Sequence, residues 1–132
     1  MKISLLFLAS LIVLALPASA AERAPETSPA AVLRHVVAFK FKTDTAPAQI
    51  KKVEDEFKTL SRKIPQIHAF EMGTNVSQEK RDKGFTHAFL VTFKTEKDRD
   101  GYLVHPAHEE FVKLVLPVID DVFVIDYWTG KP

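Results

Sequence analysis

A phenol and two imidazoles are crowded into the ten residues Tyr102-Leu-Val-His105-Pro106-Ala-His108-Glu-Glu-Phe111. Pro106 interrupts a helical pattern there, so side chains on either side of the bend can converge. Imidazole titrates close to neutrality, and a phenol can hold a carbonyl oxygen. Together they suit removal of a proton from the carbon next to a carbonyl. Tyr102 and His108 are the candidate catalytic pair. Each also has a plainer reading: His108 shares a helix side with Phe111, Val112 and Val115 and suits a core imidazole donating to a backbone carbonyl, while Tyr102 suits a core tyrosine whose hydroxyl reaches the surface. His105, directly before Pro106, suits a cap for the following helix.

Two further histidines, His35 and His87, stand in strand-like runs and share faces with Phe39 and Phe89. The candidate substrate-binding set is His35, Val37, Phe39, Phe57, His87 and Phe89, and the plainer alternative is a structural hydrogen bond pairing the two histidines. Positions 35, 87, 105 and 108 follow no short metal-binding spacing, so no metal is assigned. No cofactor is assigned either. Asp126, before Tyr127 and Trp128, is read as architectural, binding the junction helix or a partner subunit.

The elements that must position these groups are legible as changes of period. Leu33, His35, Val37, Phe39 and Phe41 alternate with Arg34, Val36, Ala38, Lys40 and Lys42, which predicts a first strand. Asp44-Thr45-Ala46-Pro47 supplies a capping hydroxyl and a first-turn proline. Ile50, Val53, Phe57, Leu60 and Ile64 then recur at helical spacing until Pro65. Ile67 to Gly73 predicts a second strand, Thr74 to Lys83 a polar loop, and Gly84 to Phe93 a third strand. Thr95 with Asp98 three residues on opens a short helix to about Val104, a second helix follows Pro106, and Val122 to Tyr127 closes as a strand. This order predicts an α+β, ferredoxin-like domain: one four-stranded antiparallel sheet with helices on one face.

Helices cover only one face of such a sheet, yet Val36, Ala38, Ala88 and Leu90 make the other face apolar too. A twofold dimer packing sheet on sheet is the simplest closure. At the start of the chain, Lys2 and the apolar run Ile3 to Leu16 precede Ala18-Ser-Ala20, the pattern of a signal peptide cleaved after residue 20. The run has 14 residues, short of the roughly 20 that a spanning helix needs. Residues 21–31 carry two prolines and no large apolar side chain and are read as a flexible leader. The expectation is therefore an exported protein, periplasmic or extracellular, with no membrane contact after cleavage. Without residues 1–20 the chain holds 17 Lys plus Arg and 17 Asp plus Glu, so nothing points to nucleic acid. There is no cysteine, and stability must come from burial alone.

The frame His35-Val-Val-Ala-Phe-Lys-Phe41, Ile64-Pro65, Gly73, His87-Ala-Phe-Leu-Val-Thr-Phe93, Tyr102-Leu-Val-His-Pro-Ala-His108 and Ile125-Asp-Tyr127 resembles the stress-responsive dimeric alpha/beta-barrel (Dabb) family over residues 32–129. The resemblance implies a homodimer whose two sheets form a barrel. One plant member is a cofactor-free polyketide cyclase in which a Tyr and a His of the helix-junction motif act on the substrate. Carried over by motif, these are Tyr102 and His108, with His35 and His87 matching its pocket histidines. Val53, Glu54 and Phe57 stand where that cyclase is aromatic. The resemblance thus implies either lyase or cyclase chemistry on a small carbonyl compound, or a non-enzymatic, small-molecule-binding or stress-protective dimer.

Overall fold

The computed structural model describes residues 30–130. The expected signal peptide at 1–20, and all but the last residues of the expected leader, lie outside the described residues. The elements are β1 (Leu33–Phe41), α1 (Pro47–Lys63), β2 (Ala69–Thr74), β3 (His87–Phe93), α2 (Glu96–Leu103), α3 (Pro106–Val115) and β4 (Ile119–Trp128). The strands form one sheet in the order β2-β3-β1-β4, antiparallel at every neighbour. This is the ferredoxin-like α+β architecture predicted from the order of periods.

Period two decides the layering. Leu33, His35, Val37 and Phe39 are buried beneath the helices, and so are Phe89, Val91 and Phe93 of β3. From above, α1 adds Val53, Phe57 and Leu60, and α3 adds Phe111 and Val115. Phenylalanine rings fill the centre: Phe57 lies 4.5 Å from Phe89 and 4.6 Å from Phe111 between ring centroids, and Phe39 lies 5.0 Å from Phe89. Each such ring contributes on the order of 2 kcal/mol by leaving water, with a further increment for the ring contacts. The opposite face has no helix. It carries Val36 and Leu90, half-buried, and Phe123, Ile125 and Tyr127, each about half exposed.

Two local expectations are corrected. Thr45 does not cap α1: Ala46 occupies the cap position, its N–H donating to Gln49 Oε1 at 3.2 Å. The Thr45 hydroxyl instead donates to the Val118 carbonyl at 2.9 Å, tying the approach of α1 to the approach of β4. The third strand begins at His87 rather than Gly84, because a turn closed by Phe85 N–H to the Asp82 carbonyl occupies the preceding residues. Gly84 sits there at φ 89°, a left-handed conformation open to glycine.

Candidate active site

The site is built where α2 hands over to α3. Thr95 caps α2, accepting from Asp98 N–H at 3.0 Å, which fixes where the helix starts and therefore where its last turn ends. At the bend, His105 caps α3 as its position before Pro106 suggested: its Nδ1 accepts from Ala107 N–H at 3.1 Å. Tyr102 in the last turn of α2 and His108 in the first turn of α3 are thereby folded onto each other, ring centroids 4.4 Å apart.

His108 Nδ1 lies 3.1 Å from the Leu103 carbonyl, which can only accept, so Nδ1 carries the proton and Nε2 is left with its lone pair. Burial lowers the His108 pKa from 6.5 and nearby His35 pushes the same way, outweighing the Leu103 bond. A neutral imidazole with a free Nε2 is a base at ordinary pH. Tyr102 is 1% exposed and packs on Phe93 and His35. Burial raises its phenol above the ordinary 10.0. The hydroxyl makes no hydrogen bond to the described residues and keeps its proton, so it is a donor awaiting an acceptor.

A third group joins them from the sheet. His35 on β1 donates from Nδ1 to Asp126 Oδ1 on the neighbouring β4 at 2.6 Å, and Arg99 Nη1 of α2 donates to Asp126 Oδ2 at 2.8 Å. Burial would raise the Asp126 carboxyl, but the bonds from Arg99 and His35 win and hold it below the usual 3.8. The carboxylate fixes the His35 tautomer, turns Nε2 toward the site, and pins α2 to the sheet edge.

His35, Val37, Phe39, Phe57, Tyr102 and His108 all line one cavity of about 520 Å³ between the helices and the β1–β4 half of the sheet. Arg99, Asp100 and Asp126 cluster with the histidines at its polar side, and Val112, Val115, Leu116, Ile119, Val122 and Val124 make the remainder apolar. The shape is that of a ligand pocket, mostly apolar with a few convergent polar groups.

Residues 33–129 match the stress-responsive A/B barrel domain family. The chain belongs to this family. It is 36% identical over 95 residues to the stress-response A/B barrel domain-containing protein HS1 of Arabidopsis thaliana, covering 72% of this chain and 87% of that protein. It is 27% identical over 99 residues to olivetolic acid cyclase of Cannabis sativa, covering 75% and 98%. Among solved structures, the hydroxynitrile lyase from Passiflora edulis superposes with a TM-score of 0.73 at 26% identity, covering 79% of this chain and 98% of that one. A protein from Thermobifida fusca, described as dimeric and ferredoxin-like, superposes with a TM-score of 0.64 at 18% identity, covering 74% and 90%.

In this A/B barrel, His87 and Phe89 stand apart from the rest of the expected set. Phe89 is sealed in the core. His87 pairs in register with Phe39, whereas His35 pairs with Val91, so the two histidines lie four residues apart along the strands, about 13 Å. They do not bond each other. His87 Nε2 meets Glu54 Oε1 of α1 at 3.0 Å and its Nδ1 meets the Thr86 hydroxyl at 2.8 Å. Sequence reasoning missed Arg99, which sits in a charged, solvated-looking helix, and it read Asp126 as architectural. The contact with α2 fits that reading. The bond to His35 could have been found by pairing the first and last strands in register.

Proposed function

We propose that this A/B barrel protein is a cofactor-independent enzyme of the lyase or cyclase type acting on a small carbonyl compound, exported and working as a homodimer. The observation that carries the reading is the meeting, in one mostly apolar cavity, of a Tyr102 hydroxyl with no hydrogen-bond partner among the described residues and a His108 whose Nδ1 is committed to the Leu103 carbonyl. The Tyr102 hydroxyl donates a hydrogen bond to the substrate carbonyl oxygen. His108 Nε2 takes a proton from the adjacent carbon. The C–H electron pair becomes the new carbon–carbon double bond, and the carbonyl π pair moves to the oxygen held by Tyr102. Each group contributes on the order of 10²- to 10⁴-fold in rate. That relatives carry the names olivetolic acid cyclase and hydroxynitrile lyase supports chemistry of this class.

Self-association is supported by the half-exposed Phe123, Ile125 and Tyr127 on the helix-free sheet face, and by solved neighbours described as dimeric. Export is supported by the apolar run before Ala18-Ser-Ala20. Intact mass of the exported protein checks it: cleavage after Ala20 is expected, and a product retaining Met1 to Ala20 contradicts it. The chemistry is tested by screening the protein against short β-keto and polyketide-like compounds, then repeating with Tyr102→Phe and His108→Ala. Loss of turnover with the fold intact is expected. Variants equal to wild type in both binding and turnover would hand the cavity to the binding-protein reading.

A further inference from the structure

The charges around the cavity set a condition on its occupant. Apart from the histidines and the Tyr102 phenol, its lining holds three ionisable side chains: the guanidinium of Arg99 and the carboxylates of Asp100 and Asp126. Arg99 is held by both acids, Nε to Asp100 Oδ1 at 2.9 Å and Nη1 to Asp126 Oδ2 at 2.8 Å. Its charge is matched by one carboxylate and exceeded by two. His35 is committed to Asp126, its Nδ1 donating to Oδ1 at 2.6 Å, and burial lowers the His108 pKa, which disfavours a cation there. Every other lining residue except Tyr102 is apolar.

We infer that this site selects an uncharged carbonyl compound with an apolar tail and discriminates against the corresponding carboxylate. An anion entering here gives up its water and meets two carboxylates with no uncommitted cation, and the Tyr102 hydroxyl, a single neutral donor, restores only part of what it loses. A neutral ketone or ester gives up far less. Its oxygen takes the Tyr102 hydroxyl, and its tail lies along Val112, Val115, Val122 and Val124. Asp100 acts as a specificity-determining residue, because it is the acid that turns a neutral Arg99–Asp126 pair into a net negative cluster.

The inference rests on the proposed carbonyl-compound reading, and the experiment reads binding so that the two can fail separately. Methyl 3-oxooctanoate and 3-oxooctanoate share the same 3-oxooctanoyl chain, differ by one ester methyl, and differ in charge near neutral pH. Their dissociation constants are measured on the mature protein by protein-observed NMR at about pH 7.5, and again on Asp100→Asn. The wild type is expected to bind the ester at least ~10-fold more tightly than the acid. Asp100→Asn, which unmasks the cation, is expected to shrink that ratio by ~3-fold or more. Equal or tighter binding of the acid by the wild type overturns the inference while leaving the enzymatic reading in place. Binding of neither compound at millimolar concentration overturns it as well, and so does an unchanged ratio in a folded Asp100→Asn for the role given to Asp100. A neutral preference without turnover leaves it standing and removes the enzymatic reading instead.

Discussion

His108 is suited to act as a base through one neighbour and its partial burial: the Leu103 carbonyl fixes its tautomer, and burial disfavours its charged form. A pH dependence follows. The proposed proton transfer needs neutral His108, whose folded pKa lies below 6.5, so kcat/KM should be level through neutrality and fall only on the acid side of that value. Tyr102 imposes no alkaline limit below its raised pKa. A pH–rate profile checks this, and a midpoint above 6.5 contradicts the assignment of the base. The same shift bears on stability. The unfolded imidazole takes up its proton near 6.5 before the folded one does, so the stability linked to His108 is present above that value and declines as pH falls through the window beneath it. Asp126 acts lower, in the window below 3.8, where protonation releases both Arg99 and His35.

At the scale of elements, the site depends on helix ends more than on helix middles. α2 has only eight residues and buries only Tyr102, so its cap and its tie to Asp126 decide whether its last turn is in place. Thr95→Ala removes the acceptor for Asp98 N–H and should cost about 1 kcal/mol of stability, read by chemical denaturation, with a larger proportional loss of activity than of fold. A variant of unchanged stability contradicts the role given to the cap. The period-two run Leu33 to Phe41, the helical run Ile50 to Ile64, the Thr95–Asp98 cap and the His105-Pro106 break were all legible, because each is a signal local in sequence. What was not legible was lateral. His35 finds Asp126 across 91 positions of chain, and His87 is drawn to Glu54 because β3 and β1 pair in a register that period two alone does not fix. The expected residues on β1, α1, α2 and α3 line one cavity, to which α2 adds Arg99 and Asp100 that residue type did not single out; those on β3 lie outside it, because sharing a face did not mean sharing a cavity.

For the molecule as a whole, the unanswered demand is the sheet face without helices. Leu90 stands in its middle, half-buried beside Val36 in β1 and Glu71 in β2. If two copies close face to face, Leu90→Asp places a carboxylate in that seam at a cost of about 2–4 kcal/mol or more. Light scattering should then show a dimer for the wild type and a monomer for the variant, and a wild-type monomer at micromolar concentration contradicts the proposed dimer. The central claim is that this assembly takes a proton from carbon. Hydrogen exchange on the ligand reads that step without requiring the true product. In deuterated buffer, proton NMR of methyl 3-oxooctanoate with catalytic amounts of the mature protein should show the hydrogens flanking the ketone replaced by deuterium faster than in buffer alone. His108→Ala should abolish the acceleration, and Tyr102→Phe should reduce it by ~10²-fold or more. Exchange no faster than in buffer, or acceleration that survives in folded His108→Ala, contradicts the account.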